Sequence, residues 1–132
     1  MTLSELYALA EADGIPVYAW HCPAPAMSIQ LDGTCAIAID PLQLESEAEE
    51  RVRLAHELGH CETWAFYDRS CPLQTVRRME YRAEKWAVTH LLTRSDFQRA
   101  FDAGCRELWE LADYFNLPES TVRKAANWYD IP

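Results

Sequence analysis

The sequence predicts an α+β fold, and three observations predict it. An amphipathic segment opens the chain, three short β-type runs are confined to residues 15–39, and helical periodicity continues from Ser46 almost to the end. Leu3, Leu6, Leu9 and Ala10 recur at helical spacing, and Gly14 followed by Pro16 ends that helix. Residues 15–20 (IPVYAW), 27–31 (MSIQL) and 35–39 (CAIAI) read as strands. Asp32-Gly33 is a strong tight-turn signal, so the second and third strands are expected to form a hairpin within a short antiparallel sheet. Asp40-Pro41 stops the third strand. Ser46 and Glu49 supply the S-x-x-E pattern of a capping box. The helix they open carries Val52, Leu54, Ala55, Leu58 and Cys61 and runs to about Tyr67. Cys71-Pro72 marks the next loop, and a second long helix spans roughly 74–92. Ser95 is positioned to cap a helix over 96–103 that Gly104 closes. Residues 106–115 and 119–129 read as two short helices around Asn116-Leu117-Pro118.

The chain of 132 residues suits one domain over 1–132, with 106–129 as a C-terminal helical hairpin. Half its residues are hydrophobic, and five Trp, six Tyr and four Phe exclude the composition of a disordered chain. The net charge of −9 argues against nucleic acid and anionic membranes as partners, because both are recognised by basic surfaces. The N-terminus lacks a basic n-region and an apolar h-region, and no apolar run approaches the ~18 residues of a membrane span. A cytoplasmic protein is expected. Cys22, Cys35, Cys61, Cys71 and Cys105 are odd in number and form no C-x-x-C pair, so free thiols are expected.

The chemistry concentrates at His56-Glu57-Leu58-Gly59-His60, an H-E-x-x-H pattern inside a predicted helix. Residues four apart share one helix face, so the two imidazoles can bind one tetrahedral Zn²⁺ at ~2.0–2.1 Å. Glu57 lies about 100° around the axis and can instead reach a water held by the ion, as a general base. A catalytic zinc needs a third protein ligand and an open position. Glu80 follows His60 by 20 residues, enough for a helix end, a loop and a return helix. It can therefore complete the set from an antiparallel neighbour. Glu84, one turn on, is placed to accept an N–H from a ligand histidine and fix its tautomer. Taken alone, Glu80 and Glu84 among Arg77, Arg78, Arg82 and Lys85 also fit an exposed salt-bridge face. The motif and the interval together favour one zinc per chain.

Residues 53–60 (RLAHELGH) and 80–87 (EYRAEKWA) resemble the ImmA/IrrE metallo-endopeptidases, whose pattern is H-E-L-G-H followed by E-x-x-A-[ND]-x-[FW]-A. The likeness covers roughly residues 35–95. It implies a small zincin-like domain in which His56, His60 and Glu80 bind the metal and Glu57 is catalytic. The family usually has Asn or Asp where Glu84 stands, and many members have Leu-Met-Pro where this chain has Leu91-Leu92-Thr93. The resemblance further implies an endopeptidase that cleaves a specific protein, a helix-turn-helix repressor of a phage or mobile element. The competing expectation is a zinc-stabilised protein that sequesters a regulatory partner without cutting it.

In the expected mechanism Glu57 moves a proton from water to the leaving amine, and a further donor stabilises the oxyanion. Residue type nominates His90, Tyr67 and Tyr81 as that donor. His21, beside Trp20, reads as structural. If the third strand is the sheet edge above the site, its small residues Ala36 and Ala38 would let an extended peptide add to it. Residues 106–129 have a helix-turn-helix pattern, but Arg123 and Lys124 stand among Glu107, Glu110, Asp113 and Glu119. A hairpin packed on the core, or a surface that docks the repressor, fits that charge better than DNA binding.

Overall fold

A computed structural model describes all 132 residues and shows an α+β arrangement of six α-helices and a three-stranded sheet. Helix α1 (Leu3–Ala12) leads into β1 (Val17–Ala19), β2 (Ala26–Leu31) and β3 (Thr34–Ile39). A 3₁₀ turn (Pro41–Gln43) precedes α2 (Glu47–Thr63) and α3 (Leu73–Leu91). Helices α4 (Arg94–Asp102), α5 (Leu108–Phe115) and α6 (Glu119–Trp128) complete the chain. None of these helices is long and apolar enough to cross a membrane.

The β2–β3 hairpin forms as its turn residues demand. Asp32 and Gly33 both have positive φ (49° and 79°), which suits a two-residue turn matched to strand twist. The sheet order is β1-β3-β2, with β1 parallel to β3 and β2 antiparallel to it. The expected antiparallel sheet is therefore mixed, because the segment between β1 and β2 carries the chain across β3. The third strand is central, and its Ile37, Ala38 and Ile39 are buried accordingly. The edge that lies beside α2 is β2.

Helix α2 is the hub, packed against α1, α3 and the β2 and β3 strands. Its N-terminus is capped as the sequence indicates: the Ser46 hydroxyl accepts from Glu49 N–H at 3.1 Å. Glu49 reaches back one residue further than a capping box requires, to Glu45 N–H at 3.0 Å. Leu54 and Leu58 meet Leu6, Ile37, Leu91 and Phe97 in a shared core. Fully burying each such side chain contributes about 1.5–3 kcal/mol.

The C-terminal hairpin joins that core through Val122 and Ala125, both fully buried. Arg51 ties it down from α2. Its guanidinium donates to the carbonyls of Phe115 (2.7 Å), Asn116 (2.9 Å) and Met1 (2.9 Å).

Two of the five expected free thiols are corrected. Cys35 on β3 and Cys61 in the last turn of α2 form a disulfide, with Cα atoms 5.8 Å apart, within the usual span. Cys22, Cys71 and Cys105 are free.

Candidate metal centre

His56 and His60 project from the same face of α2, their ring centroids 4.9 Å apart and nearly perpendicular. Helix α3 runs back alongside and brings Glu80 between them. His56 Nε2 lies 2.9 Å from Glu80 Oε2, and His60 Nε2 lies 3.3 Å from Glu80 Oε1. The ligand atoms of the three residues all fall within 4.8 Å of one another.

This convergence depends on how closely the two helices approach. Gly59 sits against Ala83, so that an added Cβ would lie 2.4 Å from the Ala83 carbonyl oxygen. One residue on from Gly59 is His60, and one turn before Ala83 is Glu80.

The other nitrogen of each ring is held from behind. His60 Nδ1 donates to the Ala65 carbonyl at 2.5 Å, since a carbonyl can only accept, and this leaves Nε2 directed at Glu80. Trp64 makes this possible by ending α2 in the left-handed conformation (φ 51°, ψ 40°). The chain then turns so that Ala65 N–H closes on His60 O at 3.0 Å. His56 Nδ1 pairs with Glu84 Oε2 at 3.1 Å. Glu84 in turn pairs through Oε1 with Lys124 Nζ at 2.9 Å. Tyr67 donates its hydroxyl to Glu80 Oε1 at 2.6 Å.

The electrostatics follow from this packing. Burial disfavours a charged His56, but Glu84, Glu57 and Glu80 together outweigh it and raise its pKa. The hydrogen bond from His56, then Lys124, holds Glu84 down at about 2 against the cost of burial. Burial opposes the charged Glu80, yet Tyr67 and the two histidines lower its pKa. The anionic Glu80 beside it pushes Tyr67 up to about 12, so the phenol is neutral at pH 7.

The donor set fits a divalent cation. Two imidazole nitrogens and a carboxylate point at one locus, and each ring's second nitrogen has an acceptor that orients it. Ligand atoms around a tetrahedral ion at ~2.0–2.1 Å are about 3.3 Å apart, and the 2.9 and 3.3 Å contacts of Glu80 with the two imidazoles lie close to that spacing.

Glu57 lines the clefts on both sides of this locus. One cleft it shares with His60, Phe66, Tyr67 and Ala26, Met27 and Ser28 of β2. The other it shares with His56, Glu84, Arg53 and Ser120, Thr121 and Lys124 of α6. The small-residue strand expected beside the cleft, residues 35–39, is covered on both edges, and β2 takes that place.

Of the three nominated donors only Tyr67 is at the centre. His90 stacks on Trp86 with centroids 3.8 Å apart and pairs with the Trp86 carbonyl. Tyr81 is exposed and faces Trp128. His21 is exposed and pairs with the buried Asp40 at 2.8 Å, a structural arrangement.

Sequence reasoning passed over Lys124, which it weighed only as a DNA contact. It also passed over the Ala65 carbonyl. No spacing rule links Lys124 to Glu84, 40 residues earlier, and a backbone carbonyl leaves no trace in side-chain identity.

The family model of the IrrE N-terminal-like domain, a peptidase family, matches residues 21–127. No curated protein and no solved structure matches the chain.

Proposed function

The chain belongs to the ImmA/IrrE metallopeptidase family by its IrrE N-terminal-like domain, and from this we propose that it is a zinc-dependent endopeptidase acting on a specific protein. The observation that carries the reading is the convergence of His56, His60 and Glu80 within 4.8 Å, with Glu57 lining the same cleft. The family resemblance favours a helix-turn-helix transcriptional repressor as substrate and the cytoplasm as the place of action. The net charge of −9 suits a protein partner better than nucleic acid or a membrane surface.

His56, His60 and Glu80 would hold the ion. When bound, zinc supplies Lewis acidity and lowers the pKa of water toward 7. Glu57 takes the proton of the attacking water and delivers it to the nitrogen of the scissile amide, which leaves as an amine. Tyr67 is neutral and within the cleft, so its hydroxyl can turn from Glu80 to donate to the oxygen of the scissile carbonyl as charge develops there. The free edge of β2 offers an extended peptide unpaired backbone groups alongside Glu57 and His60.

Glu57→Gln separates this from the alternative of a zinc-stabilised sequestering protein. The variant should bind zinc like the parent and leave a helix-turn-helix repressor encoded beside this chain intact by mass spectrometry, where the parent cuts it at one site. If the variant still relieves repression, sequestration is the function and cutting is not.

A further inference from the structure

We infer that Lys124 of α6 is a positioning residue for the metal site, acting through Glu84 on His56, and that the C-terminal hairpin is thereby part of the peptidase machinery. The inference rests on the metallopeptidase reading above.

Both oxygens of Glu84 are committed. Oε2 takes His56 Nδ1 at 3.1 Å, and Oε1 takes Lys124 Nζ at 2.9 Å. The three residues come from three elements, α2, α3 and α6. Glu84 can orient the imidazole only if its own side chain is held, and a glutamate has one more rotatable bond than the Asn or Asp of the family pattern. A free glutamate at this half-exposed position would sample several rotamers and lose the ring. The ammonium of Lys124 removes that freedom by anchoring the second oxygen. It also balances charge where Glu57, Glu80 and Glu84 crowd one cation site.

The position of Lys124 is built rather than incidental. Helix α6 packs on α3 and α5. Beside Lys124, Thr121 and Ala125 are 5% and 0% exposed, so its backbone is fixed. Arg51 clamps the carbonyls of Phe115 and Asn116 just ahead of α6. Further along, Lys85 lies 5.1 Å above the Trp128 ring and Tyr81 packs against it. These contacts set the distance that Lys124 spans to Glu84.

A half-exposed ion pair adds little to folding stability. Its worth here is geometric, so it should appear in metal affinity and leave the melting temperature almost unmoved. Replacing a partner that orients a ligand histidine typically costs about 10–100-fold in metal affinity. Lys124 stands one step further out, and Lys124→Met should cost about 3–10-fold.

The experiment is zinc competition against a chromogenic chelator, with the metal-free melting temperature as a fold control. Lys124→Met should weaken zinc binding by that factor with an unchanged melt, and Lys124→Arg should recover most of it. In a Glu84→Asn background, where the shorter side chain needs no anchor, adding Lys124→Met should change nothing further. Equal zinc affinity in parent and Lys124→Met overturns the inference. So does the same loss in the Glu84→Asn background, which would show that Lys124 acts by another route. A parent chain that binds no zinc overturns the metallopeptidase reading as well, an outcome distinct from the other two.

Discussion

The carbonyl oxygen of Ala83 lies 2.4 Å from where a Cβ on Gly59 would stand. Helices α2 and α3 thus meet backbone to backbone at the middle of the site, which brings the short carboxylate arm of Glu80 within reach of both imidazoles. In an ordinary helix Gly→Ala would gain about 1 kcal/mol from propensity. Here the sign reverses, because the obstacle is backbone and the helices must separate, at a cost of roughly 1–3 kcal/mol. Gly59→Ala should lower stability in urea titrations and reduce zinc affinity together. A stabilised variant with normal zinc binding would show that the close approach is not needed.

Tyr67 is the one nominated donor that the fold delivers to the centre, 2.6 Å from Glu80 Oε1. Tyr67→Phe should lower kcat by about 10²-fold, the lower end of the loss for one oxyanion donor, with KM and zinc content little changed. An unchanged kcat would reduce the hydroxyl to a support for Glu80.

Asp40 is almost fully buried and accepts from Cys22 N–H, Leu42 N–H, the Gln43 amide and His21. The Gln43 bond leads these donors in lowering its pKa to about 2 from an ordinary 3.8, against the cost of burial. A carboxylate whose folded-state pKa is depressed stabilises the fold above its unfolded value and loses that contribution as pH falls through its folded value. Stability should therefore decline between about pH 4 and pH 2. Asp40→Asn should be less stable at pH 7 and show a shallower decline over that interval in acid titrations followed by circular dichroism. A slope identical to that of the parent would remove Asp40 from the acid response.

The Cys35–Cys61 bond closes a loop of sequence separation 26, for which chain entropy gives roughly 3.5 kcal/mol. Cys35→Ser should lower the melting temperature under non-reducing conditions. Alkylation of unreduced, denatured protein should label three cysteines, and five after reduction. Five labels without reductant would contradict the bond.

The sequence made the helices and the site partners legible because both are written in local spacing. The i, i+4 histidines and the return interval to Glu80 needed only helical geometry. What it hid was non-local. The parallel β1–β3 pairing, the Cys35–Cys61 bond and the Lys124–Glu84 pair join segments whose adjacency no periodicity encodes. Helix ends were also displaced. Apolar periodicity carries on through Phe66, yet α2 ends at Thr63 because Trp64 adopts the left-handed conformation without the usual glycine. Thr93 caps α4 in place of the expected Ser95, since Asp96 returns the bond to Thr93 N–H at 2.8 Å.

Zinc stoichiometry tests the convergence of His56, His60 and Glu80 most directly. Elemental analysis of the purified parent and of Glu57→Gln should find one zinc per chain, while His56→Ala, His60→Ala and Glu80→Ala should each lose it on dialysis with folded circular dichroism spectra. Retention of a full equivalent of zinc by Glu80→Ala, or a parent chain that takes up none, would contradict it.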